Sequence, residues 1–109
     1  MSIQTLGSLE ECERLCTQVP DRLIVLDFSA AWCAPCKRIY PVLEQLAVQY
    51  PQVGFFKVDI DDAEDIAEHF CISTVPSFKF IYNNKIVAEF SGGNSEQLVN
   101  TLADLVKNC

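Results

Sequence analysis

Two cysteines separated by two residues, Cys33 and Cys36, are the side chains whose type and spacing could carry chemistry. A Cys-x-x-Cys pair can be a redox dithiol, half of a zinc site, or a coincidence. A zinc site needs two further Cys or His at similar spacing, and the haem-attachment signature needs His where Lys37 stands. The spacing therefore favours redox chemistry, since no second Cys-x-x-Cys or His-x₃₋₅-His is formed by the remaining candidates, Cys12, Cys16, His69, Cys71 and Cys109.

The position of the pair strengthens this interpretation. It follows a hydrophobic segment, residues 23–29, that is typical of a buried strand, and it precedes a helical pattern that begins at Pro35. Unsatisfied amide N–H groups and the helix dipole stabilise a thiolate at a helix N-terminus and lower its pKa. We therefore expect Cys33 to attack a target disulfide, and the less exposed Cys36, one turn further along, to resolve the mixed disulfide.

The sequence also predicts the helices and strands that must position this pair. Ser8 and Glu11 form a capping box that opens the first helix, Asn83 and Asn84 favour a hairpin turn, and Asn94 caps the last helix. The order β-α-β-α-β-α-β-β-α predicts an α/β sheet with parallel crossovers and one antiparallel hairpin. The predicted strands are residues 3–6, 23–29, 53–58, 77–82 and 85–90, and the predicted helices are residues 8–17, 35–50, 62–70 and 94–107.

Composition sets the class of protein. The chain has 109 residues, which suits one domain, and a net charge of −7, which disfavours nucleic acid and anionic lipid as partners. No stretch reaches the roughly 18 apolar residues of a membrane span, and residues 1–7 have no basic start or apolar run. We therefore expect a cytoplasmic protein, in which the six cysteines are free thiols plus one catalytic pair.

Three segments of the sequence resemble the thioredoxin family, and the similarity extends over essentially the whole chain. They are residues 27–37 (DFSAAWCAPCK), 75–76 (VP) and 90–93 (FSGG). The resemblance implies a thioredoxin fold over residues 1–109: a central mixed five-stranded sheet flanked by four helices. It also implies a monomeric protein-disulfide reductase and electron carrier with no bound cofactor. Its electrons would come from NADPH through a flavin-dependent thioredoxin reductase, and its targets would include peroxiredoxin, ribonucleotide reductase and methionine sulfoxide reductase.

Two charged residues fall in hydrophobic strands. Asp27 is either a surface residue at the end of its strand or a buried carboxyl with a raised pKa. The resemblance supports the buried form, which would accept the proton of Cys36 as that thiol attacks. Lys57 either pairs with Asp27, as the family resemblance implies, or points into water through ordinary strand alternation.

The resemblance also implies a docking surface for target proteins. It makes the Val75–Pro76 bond cis and places the Val75 backbone beside the disulfide, where an extended peptide can pair with it. Simpler interpretations are that Trp32 is a core residue and that Gly92-Gly93 is only a loop. Ala34 stands where the family usually has Gly, a change we expect to tune rather than abolish the chemistry. The expected substrate-binding residues are Trp32, Ala34, Pro35, Ile60, Val75, Pro76, Gly92 and Gly93.

The other cysteines leave alternatives open. Cys12 and Cys16 share one face of a helix and are either ordinary thiols or a regulatory pair. Cys71 could have an accessory redox role near the active-site loop, and Cys109 could form an oxidative dimer. We expect His69 to be a helix-end residue. Two other functions remain possible: an interaction module in which redox chemistry is incidental, and a metal-binding protein that uses Cys33 and Cys36.

Overall fold

Five strands form one mixed sheet in the computed structural model, which describes residues 3–108. The strand order is β1-β3-β2-β4-β5, so β2 and β3 occupy the centre. β1 and β2 both run parallel to β3, whereas β4 runs antiparallel to β2 and to β5. The strands are β1 (Gln4–Leu6), β2 (Ile24–Ser29), β3 (Gly54–Asp59), β4 (Ser77–Tyr82) and β5 (Lys85–Ser91).

Four helices flank the sheet among the described residues, and local hydrogen bonds explain where two of them begin. The Ser8 hydroxyl accepts the amide N–H of Glu11 at 3.2 Å, and the Glu11 carboxylate accepts the amide of Gly7 at 2.7 Å. The Asn94 side chain accepts the amide of Gln97 at 3.0 Å. The helices are α1 (Leu9–Thr17), α2 (Ala34–Gln49), α3 (Glu64–His69) and α4 (Ser95–Asn108).

Hydrophobic residues cover β2 on both faces, and all six of its residues are buried. Successive side chains of a strand point to opposite faces of the sheet. Val25 belongs to a core cluster that includes residues of α2 and α4, whereas Leu26 and Phe28 belong to a cluster that includes residues of α1 and α3. Asp27 therefore points to the same side of the sheet as Val25, toward α2.

The predicted fold class, element order and hairpin are confirmed. Asn83 and Asn84 have φ angles of 49° and 66°, as a tight hairpin turn requires. Some predicted boundaries were shifted by a residue or two. β3 begins at Gly54 rather than Val53 because the Val53 amide donates to the Tyr50 carbonyl and closes a turn after α2. No helix within residues 3–108 is long and apolar enough to cross a membrane.

Candidate active site

Cys33 and Cys36 form a disulfide at the junction between β2 and α2. Their Cα atoms lie 5.3 Å apart. Cys33 is the N-cap of α2, and its sulfur accepts the amide N–H of Cys36 at 3.2 Å. Pro35 lies in the first turn of the helix, as predicted. The sulfur of Cys33 therefore lies at the helix N-terminus, where free amide donors and the helix dipole favour negative charge.

Both cysteines are almost completely buried. Cys33 is 3% exposed and Cys36 is 4% exposed, so the expectation that Cys36 is less exposed was wrong. Ala30 belongs to one buried cluster with the pair, and Ile60 and Val75 pack against that cluster. Position along α2, rather than exposure, distinguishes the two thiols, because the cap sulfur of Cys33 is the one that accepts a backbone N–H.

Asp27 is a buried carboxyl, and the surface alternative was wrong. Its side chain is 1% exposed, and neither carboxyl oxygen accepts a hydrogen bond from the described residues. Burial raises the pKa of Asp27 from 3.8 to about 7, against the opposing effect of the Lys57 charge. A carboxyl with a pKa near neutrality can exchange a proton at physiological pH.

Lys57 stands opposite Asp27 in the register between β2 and β3. It is half-buried, and its ammonium lies 4.9 Å from the centre of the Tyr40 ring, a cation–π contact. It makes no ion pair with Asp27 within 4.0 Å, since Lys79–Glu89 is the one such pair within residues 3–108. The Lys57 charge still acts on Asp27 through space, because it lowers the pKa of that carboxyl. Neither simple alternative for Lys57 describes its environment fully.

A cleft of about 290 Å³ opens beside Cys36. Tyr40 lines it and was missed at the level of sequence, although it follows Cys36 by four residues and so shares its helix face. Burial raises the pKa of the Tyr40 hydroxyl, and the charges of Glu44 and Asp27 add to the rise. The cleft brings Cys36 and Lys57 to one solvent-reachable space, and its lining residues are Ser29, Ala30, Ala31, Cys36, Lys37, Tyr40 and Lys57.

Trp32 lies on the surface, and the core alternative was wrong. Its side chain is 68% exposed, and its indole N–H donates to the carboxylate of Asp61 at 2.9 Å. Asp61 was also missed, although it follows β3, and the carboxyl ends of parallel neighbours meet at one edge of a sheet. The hydrogen bond holds a large apolar ring next to Cys33 in an exposed position, which suits contact with a partner.

The remaining residues of the expected docking surface surround the disulfide. The Val75–Pro76 bond is cis, and Ile60 and Val75 contact the cysteine pair. Pro76 is buried, and its carbonyl accepts the amide N–H of Gly92 at 2.8 Å. Gly92 has a φ of +110°, which favours glycine, so this position is more than a generic loop.

Gly93 packs closely against the first turn of α2. A Cβ atom added there would lie 3.3 Å from the Cβ of Pro35, so the absence of a side chain permits the approach. Ala34 and Pro35 are exposed at the start of the helix. The structure thus brings Ala34, Pro35 and Gly93 to the same edge as the disulfide.

Four further Cys and His side chains are neither in the cluster around the disulfide nor in the lining of the cleft beside Cys36: Cys12, Cys16, His69 and Cys71. Cys71 is exposed, with a φ of 54°, and His69 ends α3 with its ring 4.9 Å from that of Phe70. Cys109 lies outside the described residues, so its expected oxidative dimer stays a prediction. Within residues 3–108 no three Cys, His, Asp or Glu side chains converge on a point that could hold a metal ion.

Comparisons of the chain with a family model, with curated proteins and with solved structures all find thioredoxins. The thioredoxin family model matches residues 10–104. The chain is 40% identical to thioredoxin of Gallus gallus over 104 residues, which cover 95% of this chain and 99% of that protein. It is 44% identical to human thioredoxin over 86 residues, covering 79% and 82% of the two chains. Among solved structures, Fasciola hepatica thioredoxin is similar with a TM-score of 0.91 and 39% identity, covering 94% of this chain and 98% of that one.

Proposed function

Because the chain belongs to the thioredoxin family and is an oxidoreductase that reduces protein disulfides, we propose that its two active-site cysteines have unequal roles. The Cys33 thiolate attacks one sulfur of a target disulfide, and the other target sulfur leaves as a thiolate. Cys36 then attacks the Cys33 sulfur of the mixed disulfide and releases the second target thiolate. Two electrons pass to the target, and the chain is left with the Cys33–Cys36 disulfide. The observation that carries this order is the position of the Cys33 sulfur at the N-cap of α2.

Asp27 is proposed to take the proton of the Cys36 thiol during the second step. Because its pKa is about 7, a large fraction of Asp27 is ionised at neutral pH and can accept a proton. The same raised pKa makes it a stronger base than an ordinary carboxylate. Lys57, its register partner, lines the same cleft as Cys36, and that cleft is large enough to admit water as a proton carrier. The prediction is that Asp27→Ala slows resolution more than initial attack. Unchanged release of target from a trapped mixed disulfide would refute the proposed role.

Target proteins are proposed to dock across the surface around the disulfide. An extended peptide pairs with the Val75 backbone, as in strand addition. The exposed Trp32 ring and the chain around Gly92 and Gly93 flank that peptide, and Ile60 packs beneath it. Ala34 replaces the usual glycine at the point where the peptide passes α2, so we expect it to alter substrate preference.

The electrons are proposed to come from NADPH through a flavin-dependent thioredoxin reductase, and the protein itself needs no bound cofactor. Peroxiredoxin, ribonucleotide reductase and methionine sulfoxide reductase are the proposed targets. Support for peroxiredoxin comes from a similar solved chain, 33% identical with a TM-score of 0.87, whose structure concerns thiol resolution of yeast mitochondrial 1-Cys peroxiredoxin via glutathione and thioredoxin systems. NADPH consumption with purified reductase and each target tests this route. No NADPH oxidation above the rate without the chain would contradict it.

A cytoplasmic location is proposed as well. Cys12, Cys16 and Cys71 are free thiols, which suits a reducing compartment. Fractionation of cells that express the tagged chain tests this, and recovery with an organelle would contradict it.

Insulin reduction by dithiothreitol tests the proposed roles. The wild-type chain should accelerate precipitation of the insulin B chain, and Cys33→Ser should be inactive. Cys36→Ser should turn over poorly and accumulate a mixed disulfide. Equal activity of all three chains would refute the proposal and favour an interaction module. A metal assay on the reduced protein separates the metal-binding alternative, which requires stoichiometric metal that is lost in both serine variants.

A further inference from the structure

A second pair of thiols lies on α1, apart from the active-site disulfide. Cys12 and Cys16 are four residues apart on one face of the helix, and their sulfur atoms are 3.9 Å apart, in hydrogen-bonding contact. Cys12 is 2% exposed, whereas Cys16 is half-buried. Neither takes part in the exchange at Cys33.

The helix backbone places the Cα atoms of the two residues within the range found in disulfides. With a rise of 1.5 Å per residue and a Cα radius of about 2.3 Å, residues four apart have Cα atoms about 6.2 Å apart. Bridged cysteines usually have Cα atoms about 4.4–6.8 Å apart. The Cβ atoms at this spacing are about 5–6 Å apart, beyond the roughly 3.5–4.5 Å of a disulfide, so the helix must open locally before the two sulfurs can bond. Cys16 is the second-last residue of α1, so only the last turn has to open. A bond formed against the helical conformation is strained and therefore readily reduced.

Small molecules can reach the pair through Cys16. This residue borders two clefts, one of about 120 Å³ that it shares with Cys12 and His69, and one of about 230 Å³ that it shares with Thr17 and Asn83. The hydrogen bond with Cys12 lowers the pKa of Cys16, and the Arg22 charge acts in the same direction against the effect of burial. The same hydrogen bond and burial raise the pKa of Cys12. Cys16 is thus the more accessible thiol and the one that is more readily ionised to the reactive thiolate, and Cys12 is its buried neighbour.

We propose that Cys12 and Cys16 are a second redox site, a dithiol that small hydroperoxides oxidise to an intramolecular disulfide. The Cys16 thiolate attacks one peroxide oxygen, the O–O bond breaks, and the departing oxygen takes a proton and leaves as water or an alcohol. Cys12 then attacks the sulfur of the Cys16 sulfenic acid. The S–S bond forms as the S–O bond breaks, and the hydroxide leaves with the Cys12 proton as water. The two thiols supply both electrons that reduce the peroxide.

Reduction of this second disulfide closes the cycle. A dithiol attacks one of its sulfurs, forms a mixed disulfide, and leaves as a disulfide while both thiols of α1 are restored. Dithiothreitol can supply that dithiol, and so can the reduced Cys33–Cys36 pair of another copy of the chain.

Peptide mapping of the wild-type chain tests the proposal without any substitution. Arg14 lies between the two cysteines, so trypsin releases them on separate peptides, residues 1–14 and 15–22. The chain, with its active site already oxidised, is treated with hydrogen peroxide, alkylated and digested without reductant. We expect one cross-linked pair of these peptides from the monomer, lost after dithiothreitol. Free or irreversibly oxidised thiols on both peptides, or a cross-link found only in dimers, would overturn the proposal.

Two single variants test the order of the steps. In Cys12→Ser, peroxide should leave a sulfenic acid on Cys16 that dimedone captures, because the neighbouring thiol is missing. In Cys16→Ser, Cys12 should remain a free thiol under the same exposure because it is buried. Capture of dimedone at Cys12 in place of Cys16 would contradict the proposal. Insulin reduction by each variant serves as the check that it is folded.

Discussion

The buried carboxyl of Asp27 makes a quantitative prediction about stability. Its pKa is about 7 in the folded chain, against 3.8 for the ordinary value. A difference of about 3 units corresponds to about 4 kcal/mol, since each unit is about 1.4 kcal/mol. That is the free energy by which the folded state disfavours the ionised carboxyl relative to the unfolded chain.

The sign follows from proton binding. Between pH 3.8 and about 7 the unfolded carboxyl is ionised while the folded one is still protonated, so the folded state binds more protons. The stability associated with Asp27 is therefore complete below pH 3.8, falls as pH rises through this window, and is lost above about 7. Asp27→Asn removes the titration and keeps the shape of the side chain.

Urea unfolding of the oxidised wild type and of Asp27→Asn, from pH 4 to pH 9, measures the effect. The free energy of unfolding of the variant, minus that of the wild type, should rise by about 4 kcal/mol across the window and level off above it. Any constant offset from the buried amide cancels in this comparison. A difference that stays constant with pH would refute the assignment of a raised pKa to Asp27.

Three further substitutions probe contacts of the site. Tyr40→Leu removes the ring beneath the Lys57 ammonium, and its double-mutant cycle with Lys57→Met should give a coupling free energy of about 1 kcal/mol in urea unfolding; a coupling near zero would argue against the cation–π contact. Asp61→Ala frees the Trp32 indole and should raise the KM for insulin about fivefold, equivalent to about 1 kcal/mol, with kcat unchanged; an unchanged KM would contradict the role in docking. Gly92→Ala places a side chain at a φ of +110° and should destabilise the chain by about 1–2 kcal/mol in urea unfolding. The control is Gly7→Ala, because a Cβ atom added at Gly7 meets only the Glu11 carboxylate, at 3.8 Å.

Local sequence patterns were enough to predict several elements of the fold. The apolar run at 23–29 predicts a strand covered on both faces, and the Asn83-Asn84 pair favours a tight turn; the structure has β2 at Ile24–Ser29 and positive φ at both Asn residues. The location of the Cys33–Cys36 pair at the strand–helix junction followed from the same reasoning. The order of the strands could not be predicted in this way, because no local sequence pattern indicates that β2 and β3 are neighbours in the sheet. The register that sets Asp27 opposite Lys57 was anticipated through family resemblance alone.

What the sequence could not predict depends on contacts between distant segments. The burial of Cys33 arises because Ile60 and Val75 close over it, and each belongs to a different loop. The Trp32–Asp61 hydrogen bond joins residues 29 positions apart. The shared face of Cys12 and Cys16 was visible in their spacing, but their sulfur contact and the clefts beside Cys16 depend on the packing around α1.

The central claim is that Cys33 attacks the target and Cys36 resolves the mixed disulfide. The most direct measurement incubates Cys36→Ser and Cys33→Ser separately with a disulfide-containing target, then identifies the covalent complexes by nonreducing electrophoresis and mass spectrometry. We predict a target-linked complex at Cys33 in Cys36→Ser and no such complex at Cys36 in Cys33→Ser. A complex that forms at Cys36, with Cys33 left unmodified in the other variant, would contradict the claim.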